Sequence, residues 1–331
     1  MNSEIFYYEA PEELIAVRPI ENREEAKLMV VNRATGEIKH RKFKDIIDYF
    51  DEGEVLLLNN TKVIPARLYG KKITGGRVEV LLLHKKQENI WDALIHGRVR
   101  CETELIFDKI SAVIVGKNPD GSWRVKFDAT QEELFSIGKM PVPPYLKRLS
   151  DERDGFDYQT VYAKEPGSVA APTAGLHFTE NILKQMEKKG VTIAFLTLHI
   201  GWASFRMIEK GSKKVLPEFF SVSETTAKIL NNALESDKKI CAVGTSTVRA
   251  IESAFKSGKV IAQSGFTNLF IKQGYIFHCV NRMITNFHLP GSTHLYMVCA
   301  FSTTKLIEKA YLLAIENQYR FYSYGDAMLI I

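Results

Sequence analysis

Residues 66–128 read ARLYGKKITGGRVEVLLLHKKQENIWDALIHGRVRCETELIFDKISAVIVGKNPDGSWRVKFD. Short runs of alternating apolar and polar residues follow one another through this stretch. The turns between them carry Gly-Gly at 75–76, Gly97 and Pro-Asp-Gly at 119–121. Alternation with a period of two is typical of strands that bury one face, and short strands at regular spacing are typical of a small barrel. We therefore predict that residues 66–140 form an inserted antiparallel β-barrel domain.

The segments on either side of this stretch have the pattern of an α/β domain. A helix is predicted over 180–189 before the strand VTIAFLTLHIG, and another over 223–236 before the strand KKICAVG. A further strand is predicted from Gly274 to Val280, and Pro141, Pro143 and Pro144 mark the exit from the barrel. We therefore predict an α/β fold whose larger domain, residues 1–65 and 141–331, is interrupted by the barrel.

Length and composition are those of a globular protein with two domains. The chain has 331 residues, of which 45% are hydrophobic and 25% are charged. Its first residues lack the basic start and apolar run of a signal peptide, and no stretch approaches the roughly 18 uninterrupted apolar residues of a membrane span. The four cysteines include no Cys-x-x-Cys pair, which favours reduced thiols over disulfides or a zinc site. We expect a cytoplasmic monomer with no membrane partner and no metal.

Positive charge is concentrated in one segment. Residues 60–150 contain 16 Lys and Arg against 10 Asp and Glu, whereas the net charge of the whole chain is only +5. The rest of the chain is therefore close to neutral. A basic module is the expected footprint of a polyanionic partner, although a solvated surface of mixed charge is the alternative.

A second stretch, residues 158–179, has the composition of a ligand-binding loop and reads YQTVYAKEPGSVAAPTAGLHFT. Its small residues let the backbone approach a ligand closely, Pro172 stiffens its middle, and His177 can titrate near neutral pH. Thr179 is predicted to be the N-cap of the helix over 180–189, and Gly190 to close that helix. The alternative is a tight connection packed under a sheet, with His177 as a hydrogen-bonded core residue.

Three further segments place polar residues at the ends of predicted strands. Residues 244–247, GTST, connect a strand to a helix and have free N–H groups and hydroxyls suited to a carboxylate, ribose or phosphate. Arg249, in the first turn of that helix, can pair with a carboxylate. His199 and His288 also lie at strand ends, where α/β proteins collect site residues. Each of these residues has a structural alternative, namely a helix cap, a salt bridge or a satisfied core histidine.

Motifs along the whole chain carry a resemblance to one enzyme family. They are LNNTKVIPARL (58–68), GGRVEVLLL (75–83), MPVPPYLKR (140–148), YQTVYA (158–163), GSVAAPTAGLHFT (167–179), TLHIG (197–201), AVGTSTVRAIES (242–253), TNFHLPGST (285–293) and YRFYSYGDAML (319–329). In this order they resemble the S-adenosylmethionine:tRNA ribosyltransferase-isomerase family of queuosine synthesis. The resemblance implies an α/β domain with an inserted β-barrel, which agrees with the division predicted above.

The resemblance also implies a reaction and a set of site residues. The family transfers and isomerises the ribosyl part of S-adenosylmethionine onto 7-aminomethyl-7-deazaguanine in the anticodon stem-loop of tRNA, which gives epoxyqueuosine and releases adenine and methionine. S-adenosylmethionine is therefore expected as the ribosyl donor, and tRNA as the partner. The expected catalytic residues are His177 and His288. The expected substrate-binding residues are Tyr158, Thr173, Gly175, His199, Glu218, Gly244, Thr245, Thr247, Arg249 and Asn286. The expected tRNA-binding residues are Arg67, Lys71, Lys72, Lys147 and Arg148.

The chain departs from the family pattern at several positions. The usual Gly-Thr-Phe-Arg-Pro is ASFRM at 203–207, and Lys213, Val215 and Leu216 replace two histidines and a methionine. Three hypotheses therefore stay open. The first is the family reaction, and the second is a diverged enzyme that uses S-adenosylmethionine on another nucleobase or nucleoside. The third is a tRNA-binding relative without catalysis, which the nearly complete loop at 167–179 disfavours.

Overall fold

The structure, a computed structural model, describes residues 5–202 and 215–331 and divides into two compact units. The first unit contains Met1–Thr61, Thr160–Glu165 and Pro172–Ile331, and the second contains Lys62–Gln159 and Pro166–Ala171. The second unit thus extends beyond the predicted limits of the barrel at 66 and 140. One reason is that the Gln159 side chain binds both the N–H and the C=O of Val63, at 3.1 and 2.7 Å.

The strands are β1 (Lys27–Val31), β2 (Ile38–Lys42), β3 (Val55–Asn59), β4 (Thr61–Val63), β5 (Arg67–Lys72), β6 (Arg77–Gln87), β7 (Ile90–His96), β8 (Glu104–Phe107), β9 (Ile110–Lys117), β10 (Trp123–Phe127), β11 (Glu165–Ser168), β12 (Thr192–Leu198), β13 (Glu218–Val222), β14 (Ile240–Val243), β15 (Phe255–Lys256), β16 (Lys259–Val260), β17 (Gln263–Thr267), β18 (Arg282–Asn286) and β19 (Ala327–Ile330). The α-helices are α1 (Gln131–Ile137), α2 (Asp154–Asp157), α3 (Glu180–Lys188), α4 (Glu224–Glu235), α5 (Thr245–Ala254), α6 (Thr293–Phe301) and α7 (Thr304–Glu316). Short 3₁₀ segments include Arg23–Glu25, Phe43–Tyr49 and Thr173–Gly175.

The first unit is built on a nine-stranded mixed sheet with the order β17-β13-β12-β3-β14-β18-β19-β1-β2. The four central strands β12, β3, β14 and β18 are parallel to their neighbours within this set, whereas β13 and β19 join it antiparallel. β3, VLLLN, is buried along its whole length, as expected for a central strand covered on both faces. Because the central strands run in one direction, their carboxyl ends lie along one edge of the sheet.

One face of this sheet packs against α3 and the 3₁₀ segment Phe43–Tyr49. Leu56 and Leu58 of β3 share a buried cluster with Phe178, Ile182 and Met186. The first turn of α3 is capped as predicted, because the Thr179 hydroxyl accepts the N–H of Ile182 at 3.1 Å. Truncation of a side chain as buried as that of Met186 to alanine typically costs about 2–5 kcal/mol. This packing fixes the loop that precedes α3.

The second unit contains a closed barrel with the strand order β10-β7-β6-β5-β8-β9, in which all neighbours are antiparallel. Along β9 the even-numbered residues from Ile110 are more buried than the odd-numbered residues, as the alternation predicted. Phe107 and Phe127 fill the interior. Gly70 is required where β5 passes Phe107, because a Cβ there would overlap the phenyl ring. The predicted fold class, α/β with a small antiparallel barrel, is confirmed.

One predicted element is wrong, and some predictions fall outside the described residues. Residues 274–280 form no strand, because the amides of His278 and Cys279 donate to the carboxylate of Glu252 in α5 at 2.9–3.1 Å and not to a neighbouring strand. The departures from the family pattern at 203–207 and at Lys213 lie outside the described residues.

Candidate active site

Polar residues collect at the carboxyl edge of the four parallel strands. β3 ends at Asn59 and β18 ends at Asn286, while His199 follows β12 and Gly244 follows β14. The register pairs Val243 with Ile284 and Leu196 with Asn59, so these ends are level with one another. Segments that are far apart in sequence are therefore brought to one edge, which is where α/β sheets bind ligands.

Asn59 ties this edge together. Its side-chain oxygen accepts the N–H of Thr61 at 3.1 Å and that of Leu198 at 3.0 Å. Its amide donates to the Leu198 carbonyl at 3.0 Å and to the Ser246 hydroxyl at 3.2 Å. Asn59 is fully buried, and these four bonds satisfy its side chain. The side chain thus fixes the ends of β12 and β3 against the start of α5.

The loop before α3 lies at the same edge. The Thr173 hydroxyl donates to the side-chain oxygen of Asn286 at 2.8 Å. The Nδ2 of Asn286 is buried and has no hydrogen-bond partner among the described residues. Gly175 is required in this loop, because a Cβ there would overlap the hydroxyl of Tyr162. The close packing at Gly175 is thus with a tyrosine of the protein, and the approach to a ligand stays a prediction.

His177 is buried behind this loop. Its ring lies 5.0 Å from the ring of Phe43, and its Nε2 has no hydrogen-bond partner among the described residues. Burial, together with the charges of Arg23 and Arg320, lowers the pKa of His177 to about 3. The imidazole is therefore neutral at pH 7. This arrangement lies between the two predicted alternatives, because His177 is buried like a core residue but retains an unsatisfied polar atom.

His288 forms a pair with a second imidazole, His294. The ring centroids are 5.1 Å apart, and the Nε2 of His288 lies 2.6 Å from the Thr285 hydroxyl. Burial and the neighbouring His294 hold the pKa of His288 well below its usual value. The Nδ1 of His294 lies 2.9 Å from the hydroxyl of Thr245, at the start of α5. The rings of His288 and His294 thus lie beside the loop that was predicted to hold a carboxylate, ribose or phosphate.

Most polar groups of the GTST loop (244–247) form hydrogen bonds within the protein, whereas the sequence predicted that they bind a ligand. Gly244 has φ of 88°, a conformation that favours glycine, and its N–H donates to the Ile284 carbonyl at 2.8 Å. Thr247 is fully buried, and its hydroxyl donates to the Val243 carbonyl at 2.5 Å. The Ser246 hydroxyl accepts from Asn59. Of the three hydroxyls, that of Thr245 reaches the histidine pair.

Arg249 and Glu218 form a buried ion pair within the first unit. Their side chains are 7% and 4% exposed. The Nε of Arg249 also donates to the Leu269 carbonyl at 3.2 Å, and the Glu218 carboxylate accepts the N–H of Gly201 at 2.8 Å. In this state the charge of Arg249 is balanced by a carboxylate of the protein. That geometry is the one expected of a structural pair joining α5 to β13.

His199 lines a groove of about 610 Å³ on the surface of the first unit. Its Nδ1 lies 2.8 Å from the Thr61 hydroxyl, and its ring stacks on Phe219 at 5.5 Å between centroids. Tyr162 and Phe195 also line this groove, with their rings 6.0 Å apart. The structure therefore places His199, one of the predicted substrate-binding residues, in an open groove.

The remaining predicted residues lie in the second unit. Tyr158 is fully buried there. Arg67 pairs with Glu79, and Arg148 makes a bidentate pair with the buried Asp154, with both N–O distances 2.7 Å. Both guanidinium groups are thus balanced by carboxylates, which favours a structural role for these two arginines.

The lysines of the predicted tRNA-binding set are more exposed. Lys71 is exposed and lies directly opposite Arg77 in the β5–β6 register. Lys72 is half-buried, and its ammonium donates to the Arg98 carbonyl at 3.2 Å. Lys147 is exposed and has a left-handed backbone with φ of 51°. Like charges directly opposite each other destabilise a sheet, so the pair of Lys71 and Arg77 favours the binding of an external anion between them.

In residues 5–202 and 215–331, no helix is both long and apolar enough to cross a membrane. In the same residues, no three His, Cys, Asp or Glu side chains form a group that could hold a metal ion.

Two residues of this edge, His294 and Tyr162, were not among the site residues expected from the sequence. His294 lies in the first turn of α6, directly after the Pro-Gly-Ser-Thr turn. Tyr162 belongs to the motif YQTVYA, and its hydroxyl packs against Gly175. The signal that points to His294 is its spacing of six residues from His288 across a tight turn.

Comparisons with known proteins agree with the predicted family. The model of the family described as queuosine biosynthesis protein matches residues 3–330. A protein of Cytophaga hutchinsonii called S-adenosylmethionine:tRNA ribosyltransferase-isomerase is 45% identical over 98% of this chain and 99% of its own. The protein of the same name in Caldanaerobacter subterraneus subsp. tengcongensis is 46% identical, with 98% of each chain covered. The crystal structure of S-adenosylmethionine tRNA ribosyltransferase from Thermotoga maritima is 36% identical with a TM-score of 0.58, over 98% of this chain and 99% of that one. The chain belongs to the queuosine biosynthesis protein family.

Proposed function

We propose that this protein is an S-adenosylmethionine:tRNA ribosyltransferase-isomerase. It transfers the ribosyl part of S-adenosylmethionine to 7-aminomethyl-7-deazaguanine in the anticodon stem-loop of tRNA, and releases adenine and methionine. The observation that carries this proposal is the sequence identity of 45% and 46% to two enzymes of that name, over nearly the whole length of this chain and of each enzyme. The edge described above supplies the polar groups and the close-approach loop that such a substrate requires.

The carboxyl edge of the sheet is proposed as the site of S-adenosylmethionine. Asn286 supports this assignment, because its Nδ2 is buried without a partner among the described residues and is therefore available to an acceptor of the substrate. Thr173, Gly175, Gly244 and Thr245 belong to the same edge. For Thr247, Arg249, Glu218 and the buried Tyr158 we propose a supporting role, since their contacts lie within the protein.

His177 and His288 are proposed to handle protons. Both imidazoles are held neutral at pH 7, which is the form that accepts a proton. The sulfonium of S-adenosylmethionine acidifies the hydrogens on C5′, so a positioned base can remove one of them. The proton taken from C5′ would then be available to protonate the departing adenine. His294 and Thr285 would orient the His288 ring during this exchange.

Four cations of the barrel unit are proposed to contact tRNA phosphates. Lys71, Lys72 and Lys147 are retained in this role, and Arg77 is added because it lies opposite Lys71. Arg67 and Arg148 are instead proposed to hold their own segments through Glu79 and Asp154. Such contacts make affinity fall with salt concentration, since bound counterions are released from the RNA. We further propose that the protein is a cytoplasmic monomer.

Release of adenine tests the proposed reaction. The protein is incubated with S-adenosylmethionine and tRNA that carries the aminomethyl base, and adenine is measured by chromatography. We expect release only when that tRNA is present. Release with other acceptors, or without an acceptor, would instead support the diverged enzyme. No release from folded protein that binds tRNA would support the non-catalytic relative.

A further inference from the structure

The groove beside the candidate active site has the features of a nucleobase-binding site. Its volume of about 610 Å³ lies within the range of small-ligand sites. The stacked His199 and Phe219 line it, as do the tilted rings of Tyr162 and Phe195. Phe195 is 37% exposed, which is unusual for a phenylalanine in an interior strand of a sheet. Exposed aromatic faces are the surfaces on which single-stranded bases stack.

Polar groups at the rim can bind the edge of a base. Asn60, Ser221 and Thr225 line the groove and provide amide and hydroxyl groups. Lys164 and Glu165, both exposed, add one cation and one anion. Their backbone N–H groups donate to the Asn60 carbonyl at 2.8 and 3.1 Å, which fixes this segment at the rim. A mixed set of donors and acceptors without net charge suits the heterocycle of a nucleotide better than its phosphate.

Two residues of the groove, Tyr162 and His199, also contact the candidate active site. Tyr162 lines the groove with its ring, while its hydroxyl packs against Gly175 of the loop before α3. His199 lines the groove and binds Thr61, which Asn59 ties to the edge. A base held here would therefore lie next to the site of reaction, without entering it.

We propose that this groove binds an unpaired base of the RNA substrate, next to the base that is modified. This inference rests on the proposed function, which supplies a tRNA loop as the ligand. The occupant is assigned to RNA because the groove is open and its aromatic residues are partly exposed. Stacking on one face is sufficient for a neighbouring base, which stays partly in solvent.

The test measures the binding of a synthetic anticodon stem-loop RNA by fluorescence anisotropy. Phe195→Leu removes the aromatic face while it keeps much of the apolar volume, and Phe195→Tyr keeps the ring. Phe219→Leu removes an aromatic face elsewhere in the groove. Leu312→Ala, at an exposed apolar residue on α7 outside the groove, is the control. Loop nucleotides of the RNA are replaced in turn by abasic nucleotides.

We expect Phe195→Leu to weaken binding about tenfold, which is the range of a single base–aromatic stack, with Phe195→Tyr and Leu312→Ala close to wild type. For one loop position, the abasic RNA should bind the wild-type protein about tenfold more weakly than the intact RNA does. The same abasic RNA and the intact RNA should bind Phe195→Leu with equal affinity. Phe219→Leu should give the same pattern. The proposal would be overturned if both leucine variants bound the intact RNA as tightly as the wild type does. It would also be overturned if the loss of affinity in these variants were additive with the loss caused by each abasic replacement.

A second measurement separates the groove from the reaction. The KM for S-adenosylmethionine should be unchanged in Phe195→Leu. A KM raised tenfold with normal RNA affinity would place the adenine of S-adenosylmethionine in the groove and overturn the assignment to RNA. If the wild type releases no adenine, the proposed function fails, whereas the anisotropy measurements still decide whether a base occupies the groove.

Discussion

The structural role of the buried ion pair between Arg249 and Glu218 can be tested by substitution of either residue. Glu218→Ala leaves the buried Arg249 side chain without its carboxylate partner, and leaves the N–H of Gly201 without its acceptor. The carbonyls of Leu269 and Thr267 still accept from Arg249, at 3.2 and 3.5 Å, but they do not balance its charge. Breaking a buried pair by removal of one partner typically costs about 3–5 kcal/mol.

This cost should appear as a loss of thermal stability. In units of about 150–250 residues, 1 kcal/mol lowers Tm by roughly 2–4 °C, so Glu218→Ala should lower the Tm of the first unit by roughly 6–20 °C. The double variant Glu218→Leu/Arg249→Met removes both charges and replaces them with apolar side chains of similar length. We expect it to melt much closer to the wild type than Glu218→Ala does, because no buried charge is left uncompensated.

Circular dichroism melts of the wild type, Glu218→Leu, Arg249→Met and the double variant that combines these two substitutions give the coupling energy of the pair. A single variant that melts within 2 °C of the wild type would refute the structural role. So would a double variant that is as unstable as the sum of the two single variants. If Tm is unchanged and the KM for S-adenosylmethionine rises in Arg249→Met, then Arg249 holds the substrate carboxylate, as its sequence position first predicted.

Three further predictions concern the loop, the pH dependence and the RNA contact. Gly175→Ala should abolish adenine release because its Cβ overlaps the Tyr162 hydroxyl, and Tyr162→Phe should restore part of the activity in the double variant. The folded pKa of His177 is about 3 and the unfolded pKa is about 6.5, so the unfolded chain alone binds this proton between these values. Stability should therefore fall as pH is lowered through this window, by up to about 1.4 kcal/mol per pH unit, and His177→Asn should show a smaller difference between Tm at pH 7 and pH 5. Lys71→Ala should weaken tRNA binding and lower the magnitude of the salt slope by about 1, whereas Lys305→Ala on the exposed face of α7 should change neither.

The features that were predicted from sequence are those encoded locally. The alternation in residues 66–128 predicted the barrel because each strand buries one face of its own residues. Thr179 predicted the start of α3 because its hydroxyl binds a backbone N–H three residues ahead, whatever the rest of the chain does. The strand ends at His199 and Gly244 could be read from apolar runs followed by polar residues.

The features that sequence did not predict depend on contacts between distant residues. The carboxylate of Glu252 takes two backbone amides near Cys279, so a segment with a strand-like pattern forms no strand. The partner of Arg249 is Glu218, 31 positions away, and nothing in either local pattern indicates this pairing. Lys71 and Arg77 were counted in one basic segment, but only the register of β5 and β6 places them opposite each other.

The arrangement of imidazoles bears directly on whether the departures from the family pattern change the reaction. Lys213 and Leu216 replace two histidines of the usual pattern. His288 and His294 nevertheless lie 5.1 Å apart at the carboxyl edge, and His177 lies behind the adjoining loop. A reaction that moves protons through these three rings does not require the two that are missing. The first hypothesis therefore predicts that His288→Asn lowers adenine release far more than restoring histidine at 213 and 216 raises it. The opposite order would place the chemistry near residues 213–216 and would favour a diverged enzyme.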